Sequence, residues 1–250
     1  MKDQNKIDII LPNFNSHLYI EQTLKSILKQ TYKKWKLIIV DDASDLSTKK
    51  ILYKYKKNKK IKIYFLKSNK GDGYCRAFGI KKSKAKYLAF IDSDDVWKRN
   101  KLELQYNFMI KNNYNFSYTY YSAFGIKEYK KRIITPVSFN FDSFIKNTSI
   151  ATSSMIIKRD KISKIKLSGS PNFEDYYLKC QILKRVKSAY CLKKDLLNYR
   201  IKPSSLSSNK IRNLFWLWKI NKKFNRLNFI ENLISIFLIS LNSMKKYGFK

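Results

Sequence analysis

Three carboxylates crowd into four residues at Asp92-Ser93-Asp94-Asp95. Like charges this close repel, and a divalent cation removes the repulsion. Mg2+ and Mn2+ take hard oxygen ligands, typically one or two carboxylates completed by substrate phosphates. The same residues can equally form a solvated acidic turn ahead of the next helix. A second acidic pair, Asp41-Asp42, follows the apolar run KLIIV. Next comes Asn69-Lys70-Gly71-Asp72-Gly73, with Arg76 three residues on. Glycines there allow close backbone approach and open a helix, an arrangement that suits anions. A third pair, Glu174-Asp175, follows Gly169-Ser170-Pro171-Asn172. It reads either as negative charge favoured by a helix N-terminus or as a general base for an attacking hydroxyl. Together the loops suggest a nucleoside diphosphate bound with its metal.

Such groups need a scaffold that brings them together, and the hydrophobic pattern supplies one. Ile7–Leu11 is a short apolar run that Pro12 should close. Lys36–Val40, Lys62–Leu66 and Tyr87–Ile91 read as further buried strands. Between them, Tyr19–Gln30 places Ile20, Leu24, Ile27 and Leu28 on one helical face, and Leu46–Tyr55 and Gly71–Ser83 are also helical. Strands separated by helices predict a parallel sheet with right-handed crossovers, and ligands bind beyond the carboxyl ends of its strands. Those ends carry Pro12–Asn15, Asp41-Asp42 and Asp92–Asp95. Farther on, Lys98–Asn112 and Phe173–Lys184 predict helices. Phe116–Phe124, Glu128–Ile134, Ser153–Ile157 and a short piece near Ala189–Leu192 predict strands. Residues 200–210 read as a Ser/Pro/Lys-rich loop, and the chain is helical from Ile211 to near its end.

The chain has 250 residues, 44% hydrophobic and 28% charged, which is globular composition and excludes wholesale disorder. No apolar run approaches the ~18–20 residues of a membrane span. No secretory signal is apparent, so a cytoplasmic location is expected. Cys75, Cys180 and Cys191 are scattered and form no CxxC pair, so neither a disulfide framework nor a zinc site is indicated. The charge is extreme: 53 Lys and Arg against 18 acids, a net +35. Such a surface attracts polyanions. Only eight of the 53 are arginine, the residue that direct nucleic-acid readers favour, so nucleic acid is not the expected partner.

In their order, these stretches resemble family 2 glycosyltransferases of the GT-A fold. The resemblance runs through Ile7–Asn15 (IDIILPNFN), Thr23–Tyr32, Lys36–Ser44 (KLIIVDDAS), Asn69–Ile80 (NKGDGYCRAFGI) and Tyr87–Trp97 (YLAFIDSDDVW). It continues in Ala151–Lys158, Glu174–Leu183 (EDYYLKCQIL) and Tyr199–Asn209. It covers roughly residues 7–210 and is strongest to bacterial enzymes that build capsule, lipopolysaccharide or teichuronic acid. The implied fold is α/β, a Rossmann-like mixed sheet flanked by helices. The implied organisation is a nucleotide-binding half (1–97), an acceptor-side half (98–210) and a C-terminal amphipathic helical extension (211–250).

The resemblance also implies site roles. Pro12 and Phe14 would flank base and ribose. Asp42 would accept a hydrogen bond from the base, with Asp41 beside it, and Arg76 would help hold the nucleotide. Asp92, Asp94 and Asp95 form the metal-and-ribose motif, with Asp94 and Asp95 the expected ligands of Mn2+ or Mg2+. Asp175 matches the catalytic base. Arg200, Ser205 and Ser207 match a loop that closes over the donor phosphates. The loop Asp41-Asp42-Ala43-Ser44-Asp45, then Leu46, departs from the family's usual glycine and extra Thr-Asp, and Asp72 and Tyr74 stand where small residues are common, which bears on base and sugar preference. The implied reaction is inverting transfer from a nucleotide-sugar, a UDP-sugar being expected, to a glycan or lipid-linked acceptor. A sugar-nucleotide binder or nucleotidyltransferase, and a basic nucleic-acid-binding protein, are the rival readings. In the C-terminal segment, polar Asn228, Glu231, Asn232, Ser235 and Asn242 fall along one side, apolar residues fill the rest, and lysines flank both ends. That pattern suits a helix packed on the domain, a helix lying on an anionic membrane surface, or both.

Overall fold

Four parallel strands build the first half, as the alternating pattern predicts. A computed structural model describes residues 5–125, 130–162, 165–170, 173–202 and 210–247. The first elements are β1 (Ile7–Asn13), α1 (Ile20–Leu28), β2 (Trp35–Asp41), α2 (Leu46–Lys54), β3 (Ile61–Phe65), α3 (Asp72–Lys82) and β4 (Tyr87–Phe90). Then come β5 (Val96–Trp97), α4 (Lys101–Lys111), β6 (Phe116–Phe124), β7 (Lys130–Ile133), β8 (Ser138–Phe139), α5 (Phe141–Phe144) and β9 (Ile156–Lys158). The last are α6 (Glu174–Val186), β10 (Ala189–Arg200), α7 (Lys210–Ile220) and α8 (Phe229–Tyr247).

Among the described residues the strands form one mixed sheet, in the order β3-β2-β1-β4-β9-β6-β10-β5, with β7 paired to β6 and β8 to β10. β9 runs antiparallel between β4 and β6. Side chains alternate across the sheet. Ile7, Ile9 and Leu11 of β1 join α1 and α4 in one core, which includes Ile20, Leu24, Leu102 and Met109. Ile10, with Ile38, Val40, Leu88 and Phe90, faces a second core shared with α3, α6, α7 and α8. The result is three layers, with helices on both faces and strand ends free to hold a ligand.

Several expectations were corrected. β1 does not stop at Pro12 but continues to Asn13. Its pairing with β4 ends at Ile10–Phe90, so the missing proline N–H costs no ladder bond on that side. Residues 152–154 form a 3-10 turn rather than the start of a strand, and β9 begins only at Ile156. The four-residue strand expected near residue 189 is twelve residues long, because two register shifts let β10 follow β6 past Leu192 and Asp195. Arg200 therefore ends a strand instead of opening a loop. The C-terminal helix is broken: Asn221–Asn225 is a π turn and Arg226 is left-handed (φ 60°) between α7 and α8.

Candidate active site

The acidic stretch Asp92–Asp95 leaves β4 and is fixed from three sides. Thr23 of α1 donates its hydroxyl to the carbonyls of Ser93 (3.0 Å) and Asp95 (2.8 Å). Trp97 donates its ring N–H to Ser153 O (2.7 Å). Arg200, at the end of β10, donates its backbone amide to Asp95 Oδ1 (2.8 Å) and its Nε to the Asp94 carbonyl (2.9 Å). Its guanidinium also reaches Gln22 Oε1 (2.5 Å) and lies over the rings of Tyr19 and Phe124.

The three carboxylates have different surroundings. Asp92 Oδ1 accepts from Arg76 Nη2 at 2.7 Å, and its amide donates to Ser153 Oγ. Asp94 Oδ2 pairs with the Lys202 ammonium at 2.5 Å. Asp95 is 1% exposed, and its Oδ2 has no hydrogen-bond partner. Burial, then Asp94 and Asp92, push the Asp95 carboxyl well above the usual carboxylate range. That buried, unmatched oxygen suits a cation ligand, and the Lys202 ammonium paired with Asp94 shows that the neighbouring carboxylate draws positive charge. Among the described residues no three His, Cys, Asp or Glu side chains converge as a protein-only metal cage. The donor set suits Mg2+ or Mn2+ held by one or two carboxylates and completed by phosphate oxygens.

Asp175, the second residue of α6, lies near the same groups. Its Oδ2 accepts from Lys179 Nζ (2.8 Å) and Thr152 Oγ1 (3.1 Å). Thr152 and Ser153 are adjacent in the 3-10 turn, so one turn holds Asp175 with its first residue and Asp92 with its second. Burial pushes the Asp175 carboxyl up, but the Lys179 ammonium and then the Arg76 guanidinium outweigh it and hold it well below the usual range. Arg76 is buried; burial opposes its charge, but Asp92, Asp72 and Asp175 more than restore it. One arginine thus links the glycine loop, the acidic stretch and the candidate base.

Other expected residues have partners within the chain. Asp42 accepts from the backbone amides of Lys70 (2.7 Å) and Gly71 (2.8 Å), pinning the glycine loop to the end of β2. Asp41 accepts from Asn13 Nδ2 (2.7 Å) and Ser44 N (3.2 Å). Ala43 adopts φ 59°. Pro12 is buried in β1, while Phe14 is exposed at the strand end. Glu174 is engaged within the chain, where it accepts from Ser168 N, Ser168 Oγ and Ser170 N. Gly73 of α3 packs directly against Glu174: a Cβ there would stand 2.5 Å from Glu174 Cβ. Ser205 and Ser207 lie outside the described residues.

Residues that the sequence did not single out complete the site: Thr23, Thr152, Ser153, Lys179 and Lys202. Lys179 alone had a local signal, its i+4 spacing from Asp175 on a helix. The others meet their partners across long stretches of chain.

Comparison with known proteins identifies the family and the fold. The family model of Glycosyl transferase family 2 matches residues 8–167. TuaG of Bacillus subtilis, a glycosyltransferase assigned to teichuronic acid biosynthesis, is 32% identical over 243 residues, 96% of each chain. The Escherichia coli UDP-Glc:alpha-D-GlcNAc-diphosphoundecaprenol beta-1,3-glucosyltransferase WfgD is 30% identical over 254 residues, 99% of this chain and 97% of the relative. Among solved structures, Staphylococcus aureus TarS 1–349 with UDP-GlcNAc superposes with a TM-score of 0.75 at 18% identity, covering 98% of this chain and 73% of that one. The Pyrobaculum calidifontis mannosyltransferase PcManGT with GDP-Man and Mn2+ gives 0.71 at 13% identity, covering 95% and 70%. These structures share the GT-A fold, and the sequence matches show that the chain belongs to glycosyltransferase family 2.

Proposed function

We propose that this glycosyltransferase moves a sugar from a UDP-sugar to a hydroxyl of a lipid-linked bacterial surface glycan, inverting the anomeric centre with a divalent metal. The observation that carries the reading is the shared hold of Thr152 on Asp175 and of Ser153 on Asp92, which sets a base beside the acidic stretch. Two relatives at least 30% identical bear names from envelope-glycan synthesis, one with a UDP-sugar donor and a lipid-linked acceptor. The GT-A neighbour PcManGT holds Mn2+.

In this reading Pro12 and Phe14 flank the nucleoside, and Asp41 and Asp42 border the base while Asp42 keeps the glycine loop in place. Asp94 and Asp95 hold the metal, and Asp92 and Arg76 set the ribose and phosphate side. A bound Mn2+ or Mg2+ supplies positive charge to the departing diphosphate. Asp175 takes the proton from the acceptor hydroxyl. The hydroxyl oxygen bonds to the anomeric carbon as the bond to the diphosphate breaks, and the diphosphate leaves with the electron pair. Arg200 and Lys202 stand beside the acidic stretch to neutralise that leaving charge, with Ser205 and Ser207 in the segment that follows. The Lys179 ammonium and the Arg76 guanidinium favour the ionised form of Asp175, the form that can accept the proton.

The test is calorimetric titration of UDP, GDP and CDP, with and without Mn2+, into the wild type and Asp94→Ala. Mn2+-dependent binding, tightest for UDP and lost in the variant, is expected. A folded wild type that binds none of the three nucleotides refutes the reading.

A further inference from the structure

α8 is built inside out. Among the described residues, two of the three side chains it buries are polar: Asn232 and Ser235 are 1% and 0% exposed, beside Ile239 at 8%. Asn221 Nδ2, in the π turn, donates to Asn232 Oδ1 (3.1 Å) and Ser235 Oγ (3.0 Å), and Ser235 Oγ donates to Ile145 O (2.6 Å). Asn242 Nδ2 adds a bond to Lys146 O. Over residues 229–237 the side chains it turns outward are apolar apart from Glu231. Phe229, Ile230, Leu233, Ile234 and Phe237 are all exposed, Phe229 and Ile230 by two thirds. Their i, i+1, i+4, i+5, i+8 spacing makes one continuous stripe. Phe229 meets the Trp218 ring of α7 at 5.4 Å, and α7 extends the surface with exposed Leu214 and Phe215. A water-exposed helix normally shows the reverse arrangement, so this face is shaped for contact with something apolar.

The rim says what that something is. Lys219, Lys222, Lys223 and Arg226 lie exposed at the near end of the stripe and Lys245 at the far end. Residues 210–247 contain one acid, Glu231, and its carboxylate accepts from the Asn228 amide at the start of α8. A second copy of this chain would press two basic rims together. An anionic bilayer instead offers acyl chains to the stripe and phosphates to the lysines. No helix among the described residues is long and apolar enough to cross a membrane, so contact is in the plane of the surface.

We infer that α7 and α8 form a docking face for anionic lipid bilayers. The face is coupled to the active site. Asn221, which anchors α8, also accepts from the Tyr176 hydroxyl (2.7 Å), and Tyr176 follows Asp175 on α6. The lipid surface and the candidate base are therefore held at a fixed separation, as suits an acceptor that arrives on a membrane lipid. The docking face itself does not depend on the transferase reading.

The experiment must separate insertion from attraction by the +35 charge. The full chain is mixed with vesicles of phosphatidylcholine, or phosphatidylcholine with 30% phosphatidylglycerol, at low and high salt, with matched samples containing lipids brominated in the acyl chains. Trp35 and Trp97 are buried in the catalytic core, so quenching reports Trp216 and Trp218. Expected are binding to the anionic vesicles, bromine quenching, and a fraction that survives high salt. The triple variant Phe229→Gln, Ile230→Gln, Phe237→Gln should keep the wild-type melting temperature and nucleotide affinity, lose the quenching, and bind vesicles at least tenfold more weakly. Binding without quenching, fully reversed by salt, overturns the inference in favour of charge alone. A concentration-dependent dimer in sedimentation velocity, abolished by the triple variant, overturns it in favour of self-association.

Discussion

Gly73→Ala tests how the candidate base is positioned. The added Cβ would lie 2.5 Å from both Cβ and Cγ of Glu174, about 1 Å inside ordinary contact. Rotating a side chain cannot relieve a collision with Cβ, so α3 or the start of α6 must move. The glycine loop is pinned, because Asp42 holds the Lys70 and Gly71 amides at 2.7 and 2.8 Å. The yielding element is therefore α6, and Asp175 is the next residue. Overpacking of this kind costs ~1–3 kcal/mol. At about 2–4 °C per kcal/mol for a chain of this size, the melting temperature should fall by ~2–12 °C. A displacement of about 1 Å at a catalytic group costs on the order of 10²-fold in rate. Transfer kinetics, a thermal melt and nucleotide calorimetry read the three effects separately. Expected are a fall in kcat of that order, a lower melting temperature and nucleotide affinity close to wild type. Gly71→Ala is the contrast: nothing lies within 4 Å of its added Cβ, but φ is 85°, so it strains the backbone without pushing on α6. A Gly73→Ala enzyme with wild-type stability and a rate within threefold of wild type would refute this account of how α3 sets Asp175.

Two further substitutions probe the charges around the crevice. Lys179→Met removes the ammonium from Asp175 and from Ile150 O. Because the Asp175 side chain is 36% exposed, the expected loss is discounted to ~1–3 kcal/mol at pH 7. The folded-state pKa of Asp175 is depressed, so its stabilisation is present above the unfolded value of about 3.9 and is lost as pH falls. The stability gap between variant and wild type should thus shrink below pH 4; a gap unchanged down to pH 3 would show that Lys179 acts through packing alone. Asp95→Asn keeps an acceptor for the Arg200 amide and removes a buried charge that has like-charged neighbours. Stability should hold or rise by about 1 kcal/mol, while the Mn2+-dependent part of nucleotide binding falls at least tenfold; undiminished metal dependence would remove Asp95 from the ligand set.

Much of the architecture was legible because local physics wrote it. Apolar runs at Ile7, Lys36, Lys62 and Tyr87, separated by segments with helical spacing, announced four strands, two of them with acid-bearing ends. The order of those acidic stretches was enough to suggest the family. What each carboxylate does was not legible, since its partner lies far along the chain. Asp42 and Glu174 hold backbone amides, whereas Asp95 keeps an unmatched oxygen, and nothing in their own neighbourhoods distinguishes them. β10 looked short because its pairing with β6 bridges two irregularities that no hydrophobic pattern encodes. The C-terminal helix gives the clearest division. Its amphipathic pattern, with polar Asn232 and Ser235 opposite Phe229 and Phe237, is set by sequence alone. Which face turns inward was decided by tertiary structure: Asn221 and the Ile145 carbonyl offer hydrogen bonds to the polar side, and a buried polar group keeps only the partners its surroundings provide.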